Sequence, residues 1–305
     1  MRVKGSFCAA SLCLLALASP ARSSAQGRAW TSRDCGNGAR LRLSSASASQ
    51  GDLVELEIKT VSPAADLKAS WGDKALQFWT DTSDSHVHRA LVGVDLEQSA
   101  GRYDLAVNGK LQSEDPLSCS AVVSVTAGHF AIEKLKVNAK FVELSPEDSK
   151  RAEEEQHRLR ELFARATSER LWQGRFRMPL DGVHTGSNFG RRRVLNGKPG
   201  SPHSGLDLAA AAGTPVHASQ RGRVEFAGEL FFSGNTVILD HGLGLYTFYG
   251  HLESISVAVG DVVEVGAKLG RVGATGRATG PHLHWGMYVN AAKVNPLGIL
   301  RLPTN

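Results

Sequence analysis

Between residues 28 and 127 apolar and polar side chains alternate in short runs, the period-two pattern of half-buried strands. The runs are Ala39 to Leu43, Leu53 to Thr60, Leu67 to Trp71, His88 to Val94, Tyr103 to Val107 and Ala121 to Val125. Gly51-Asp52, Gly72-Asp73 and Asn108-Gly109 separate some of them with residues that favour tight turns. This pattern predicts a small β-sandwich of immunoglobulin-like kind. The period then changes over a connector at 128–173. Ser145 is a good N-cap, Pro146 suits the first helical position, and Glu147 and Asp148 favour the first turn. Leu159, Leu162, Phe163 and Ala166 follow at i, i+3, i+4 and i+7, one apolar stripe on a charged helix. Such a helix packs on something, as a docked spacer or as an arm over a cleft.

Beyond Gly174, glycine-rich turns separate apolar runs at Thr214 to Ala218, Gly222 to Ala227, Asn235 to Asp240, Leu245 to Tyr249, Asp261 to Val263, Lys268 to Val272 and His282 to Val289. Asp240-His241-Gly242 and Ala274-Thr275-Gly276 read as turns among them. An antiparallel β domain over 174–305 is expected, which makes the chain mainly β. A length of 305 residues with 42% hydrophobic content suits two domains with cores of their own.

The first 25 residues read as a signal peptide: basic Arg2 and Lys4, an apolar stretch from Phe7 to Ala18, Pro20, then small Ser23 and Ala25 before Gln26. Export is the expectation, with the periplasm preferred to release from the cell and no membrane-spanning segment in the mature chain. The formal charge of +5 falls by the three cations Arg2, Lys4 and Arg22 to 5 − 3 = +2, too mild a balance to argue for nucleic acid. Cys8 and Cys13 would leave with the signal. Cys35 and Cys119 would then meet an oxidising compartment, where a disulfide is the natural reading.

Chemistry concentrates in two short segments, SPHSGLDLA around His203 and Asp207, and TGPHLHWG around His282 and His284. Residues two or four apart on an extended strand share a face, so each pair can point into one pocket. A helix would put His282 and His284 roughly 200° apart. Together the four supply three zinc-type ligands and a spare histidine. His86 and His88 are also two apart, but have no acidic or histidine partner at ligand spacing and read as a strand face. His184, His217 and His241 read as structural.

The stretch from Ser187 to Leu297 resembles the zinc endopeptidases of the lysostaphin and LytM type, peptidase family M23. HSGLD at His203, YGHL at Tyr249 and GPHLHW at Gly280 carry the resemblance, with SNFGRRR, GTPVHAS and DHGLGLYTFYGHL agreeing around them. The resemblance implies one Zn2+ held by His203, Asp207 and His284, with His251 and His282 as the non-ligand catalytic pair. Three N or O ligands that leave a fourth position for water or substrate are what a catalytic zinc takes. Asn188 and Arg191 fall on a segment that borders the cleft in the family, which leaves a substrate-binding role open to them, outside the catalytic set. The implied reaction is hydrolysis of peptide cross-links or stems in bacterial peptidoglycan. The alternative is a catalytically silent LytM-like module that binds cell wall or activates another murein hydrolase. Residues 28–173 are expected to position the domain or receive a regulatory protein partner.

Overall fold

A computed structural model describes residues 30–112, 115–183 and 188–302. The leader expected over 1–25 and His184 lie outside the described residues. Strands β1 (Thr31–Asp34), β2 (Arg40–Leu43), β3 (Ser47–Ser49), β4 (Leu53–Lys59), β5 (Ala64–Trp71), β6 (Lys74–Leu76), β7 (Trp79–Thr80), β8 (Val87–Gly93), β9 (Gly101–Leu111) and β10 (Pro116–Thr126) form two sheets, ordered β1-β2-β4-β8-β7 and β3-β10-β9-β5-β6. Leu41, Leu56 and Ile58 of the first meet Trp71, Leu105 and Val123 of the second in one buried core, because the apolar set of each alternating strand turns inward. Cys35 and Cys119 are disulfide-bonded, with Cα atoms 5.2 Å apart. Asn108 and Gly109 differ from expectation: they sit inside β9, paired with Ser118 and Leu117 of β10. The cross-strand partner decides the conformation there, over the local turn preference.

The connector holds β11 (Ile132–Leu135) and α1 (Pro146–Ala164). Ser145 Oγ accepts from Asp148 N at 3.0 Å, as its cap position requires. The apolar stripe of α1 docks: Phe163 stacks on Tyr288 with ring centroids 3.6 Å apart and meets Tyr246 edge-on, while Leu159 and Leu162 pack beside them. Glu155, buried in the same contact, accepts from Phe231 N at 2.7 Å and from Arg151 Nε at 2.8 Å. The stripe's last member, Ala166, lies beyond the helix end.

The remaining strands are β12 (Arg192–Leu195), β13 (Lys198–Pro199), β14 (Gly205–Ala209), β15 (Pro215–His217), β16 (Gly222–Leu230), β17 (Gly234–Gly242), β18 (Leu245–Ile255), β19 (Val262–Val263), β20 (Lys268–Val272), β21 (His282–Val289) and β22 (Ala292–Val294). The main sheet runs β14-β21-β18-β17-β16-β19. Strand β11 pairs in parallel with β12, so the connector joins this domain's sheet structure as well as spanning to it. The two units share a seam: Leu53, Leu91 and Leu96 enter the C-terminal core, Leu96 N donates to Lys293 O at 3.0 Å, and Asn295 N donates to Gly51 O at 2.8 Å. Among the described residues no helix is long and apolar enough to cross a membrane.

The expected Asp240-His241-Gly242 turn is the end of β17, and the chain reverses at Leu243 and Gly244 instead. His241 is fully buried. Its Nδ1 lies 2.8 Å from Arg221 O and its Nε2 lies 2.7 Å from Thr247 Oγ1, so it is structural, as its sequence setting suggests. Burial pushes it down to about 4, against the smaller raising effect of the Arg221 carbonyl.

Two predictions follow from this packing. Phe163→Ala should cost about 3 to 5 kcal/mol and loosen α1, which limited proteolysis of the helix and a urea midpoint would register. The second concerns pH. An unfolded histidine takes its proton near 6.5, whereas folded His241 takes it only near 4, so stability should fall as pH drops through that window. The His241 contribution is about 3 kcal/mol at its limit, and His241→Gln should flatten that part of the urea midpoint against pH.

Candidate metal and catalytic site

The register of β14 against β21 sets Asp207 opposite His284 and Ala209 opposite His282. Directly opposed residues of antiparallel strands share a face, and His284 Nδ1 lies 2.9 Å from Asp207 Oδ1. Leu206, Leu208, Leu283 and Trp285 take the other face and are buried. His203 arrives differently from expectation. It precedes β14 and reaches the cluster from a loop, its Nε2 2.9 Å from Asp207 Oδ1 and 3.0 Å from His284 Nδ1. The loop can pass this close because Gly205 has no side chain: a Cβ there would lie 2.7 Å from His284 Nε2.

Three donor atoms therefore converge. His203 Nδ1 donates to Asn188 O at 2.9 Å, which leaves Nε2 with a lone pair facing a carboxylate oxygen. Two such acceptors in contact repel, and a shared cation removes the repulsion, so the donor set fits a metal of the two-histidine, one-carboxylate kind. Among the described residues His203, Asp207 and His284 are the one group of this type.

Asn188 and Arg193 orient this set. The Asn188 side chain accepts from Asp207 N at 3.1 Å and donates to Asp207 O at 3.2 Å. Its amide is thus engaged with the Asp207 backbone. Arg193 Nη2 donates to Asp207 Oδ2 at 2.5 Å, which leaves Oδ1 for the cluster. Glu133 of β11 in turn accepts from Arg193 Nε at 3.3 Å and Arg191 Nη1 at 2.6 Å. Arg191 is likewise tied to the connector. Arg193 carried no signal of its own in the run Arg191, Arg192, Arg193; alternation on a strand at 192–195 would have shown 191 and 193 facing together.

His282 follows the face of β21, with Nε2 3.6 Å from Asp207 Oδ1 and Nδ1 donating to Gly280 O at 2.8 Å. His251 needs a backbone irregularity. Between Tyr249 and Leu252, strand β18 carries one residue more than β17 does between Val237 and Asn235, which is a β-bulge. His251 takes φ 62, a left-handed conformation that histidine tolerates better than most residues. A regular strand would send it into the core beside Tyr249; the bulge re-aims it at the cleft, with ring centroids 4.7 Å from His282. Its N donates to Ser233 O at 2.7 Å and its Nδ1 to Thr275 O at 2.8 Å. Burial first, then the His284 and His282 rings, push His251 down to about 3, and burial likewise holds His284 at about 4 despite Asp207. Both rings are neutral at pH 7. His217 and the His86, His88 pair stand outside this cluster; His88 Nδ1 lies 3.1 Å from Thr80 Oγ1.

Two cavities flank the site. One of about 340 Å³ is bounded by Asp207, His251, His282 and Arg277, and by Glu133 and Leu135 from the connector. Another of about 190 Å³ lies on the His203 and His284 side. The connector is therefore part of the cleft wall as well as a spacer.

A mainly β domain with a His-Asp-His donor set beside two further histidines has the layout of a metal-dependent hydrolase. Residues 201–296 match the profile of Peptidase family M23, and this domain of the chain belongs to that family. The chain is 46% identical over 102 residues to the DD-carboxypeptidase/endopeptidase Mpg of Neisseria meningitidis, covering 33% of this chain and 23% of that protein. It is 40% identical over 122 residues to the Peptidoglycan DD-endopeptidase ShyC of Vibrio cholerae, covering 39% of this chain and 28% of that one. It thus spans 23 to 28% of the length of these curated relatives. A crystal structure from Pseudomonas aeruginosa assigned to peptidase M23 matches with a TM-score of 0.61 at 29% identity, over 83% of this chain and 94% of that one. That likeness reaches past the peptidase domain into the units before it.

Arg193→Gln should leave the fold intact by circular dichroism and weaken zinc binding roughly tenfold to a hundredfold, read by competition with a fluorescent chelator. Unchanged affinity would remove the orienting role.

Proposed function

We propose that the chain is a zinc-dependent endopeptidase that hydrolyses peptide bonds in bacterial peptidoglycan, acting outside the cytoplasm. The observation that carries this reading is the convergence of His203 Nε2, Asp207 Oδ1 and His284 Nδ1 within 3.0 Å of one another, beside His251 and His282. The Vibrio cholerae relatives named as peptidoglycan DD-endopeptidases support the substrate class.

Zinc held by His203, Asp207 and His284 would polarise the scissile carbonyl and bring the pKa of a bound water toward ~7. The protein groups then have distinct tasks. His282 spends its Nδ1 proton on Gly280 O, so Nε2 is free to take a proton from the attacking water. The water oxygen bonds to the carbonyl carbon, the C–N bond breaks, and His282 returns that proton to the leaving amine. His251 also spends Nδ1 on a carbonyl, that of Thr275, and is held neutral. It therefore offers an acceptor nitrogen, which suits orienting the water better than donating to an oxyanion. Arg193 and Asn188 keep Asp207 in place throughout.

Purified protein should bind one zinc and release muropeptides from isolated sacculi. His203→Ala should lose the metal and the activity; His282→Ala should keep the metal and lose at least about a hundredfold in turnover. Metal analysis and mass analysis of the released fragments check both. Wall cleavage by a metal-free His203→Ala protein would overturn the mechanism, and a zinc-loaded wild type that releases nothing would indicate the silent, wall-binding module.

A further inference from the structure

Arg277 lies in the loop between β20 and β21. Its backbone N donates to Phe232 O at 2.8 Å and its guanidinium lies 4.4 Å from the Phe232 ring. The loop is packed tightly against the β16–β17 hairpin tip: a Cβ on Gly276 would lie 2.4 Å from Gly234 N and 2.6 Å from Phe232 O. Thr275 Oγ1 pins the same loop, donating to Leu252 O at 2.8 Å. The cation is thus held in one place.

Its charge is unbalanced. Arg193, the other guanidinium in this wall, has Asp207 and Glu133. Among the described residues no carboxylate pairs with Arg277, whose partner is the face of an aromatic ring. Burial, with Arg193 second, pulls it down to about 10, so it stays cationic at neutral pH. A partly desolvated cation without an anion is costly, and a stacked aromatic ring offsets only part of that cost. Arg277 also borders both cavities, together with His251. An anion entering the cleft would meet it.

Given the endopeptidase reading above, on which this rests, the side of the cleft can be assigned. His282 must return a proton to the leaving amine, so the residue on the amine side of the broken bond occupies the cavity bounded by His282 and Arg277. We propose that Arg277 is a specificity-determining residue that binds a free carboxylate carried by that amine-side residue. The preferred substrate class is then a peptide whose leaving residue keeps its α-carboxylate free, as in a D,D-linked cross-link or a terminal D-alanine. In a glycine bridge that carboxyl is tied up in the next amide.

The test compares a pentapeptide ending in D-alanyl-D-alanine with the same peptide as its C-terminal amide, using the zinc-loaded full chain. Binding is measured by calorimetry on the His282→Ala background, and kcat/KM on the active chain. Wild type should favour the free acid by roughly tenfold to a hundredfold. Arg277→Gln should lose that preference by falling on the acid alone, with the amide and the zinc affinity unchanged, and Arg277→Lys should recover part of it. Equal handling of acid and amide by wild type, or an equal loss on both in Arg277→Gln, overturns the proposal while sacculus cleavage leaves the endopeptidase reading standing. If wild type cleaves neither peptide nor sacculi yet binds the acid through Arg277, the carboxylate site stands and the endopeptidase reading fails.

Discussion

The antiparallel register of β14 on β21 is the constraint from which the site is built. It brings a carboxylate and an imidazole, 77 residues apart in the chain, to 2.9 Å. The alternation of each strand keeps them on the cleft side because Leu206, Leu208, Leu283 and Trp285 fill the core on the other. A slip of one residue would exchange those two sets, burying the polar ligands and exposing a tryptophan. The hydrophobic core therefore enforces the placement of the polar cluster. His203 depends on it in turn, since its loop closes only over the glycine that faces His284.

Around this pair the other polar groups act by orienting. Asn188 clamps the backbone of Asp207 on both sides, and its carbonyl accepts the hydrogen bond from His203 Nδ1, so one residue sets two of the three donors. The carbonyls of Gly280 and Thr275 do the same for His282 and His251. In each case a backbone carbonyl fixes which nitrogen is bare. His251 adds a backbone cost, since a left-handed non-glycine residue carries on the order of 1 to 3 kcal/mol of strain; the bulge is held by the Ser233 carbonyl and the Thr275 contact.

Parts of the chain outside the peptidase domain reach this cleft through short physical links. Strand β11 supplies Glu133, which accepts from Arg193, which holds Asp207. Helix α1 places Glu155 on Phe231 N, and the next residues of that hairpin tip touch Arg277 and His251. The preceding β unit is joined by apolar burial, through Leu53, Leu91 and Leu96.

Local pattern made much of this legible. The strands at 268–272 and 282–289 coincide with their apolar runs, Ser145 caps its helix, and His282 and His284 share a face because period two requires it. Donor chemistry in two short segments, read with the family resemblance, named every residue of the cluster. Tertiary structure decided what depends on partners distant in sequence. Asn108-Gly109 and Asp240-His241 are turn-like dipeptides absorbed into strands by their neighbours. His203 enters from a loop, His251 is turned by a bulge, and Arg193, Glu133 and Arg277 matter only through what stands across from them. Side-chain type and spacing act over a few residues, so the sequence alone marked most of the strands, the helix and the three candidate donors. Which groups balance each other's charge, and which is left without a counterion, is settled by contacts that only the folded chain creates.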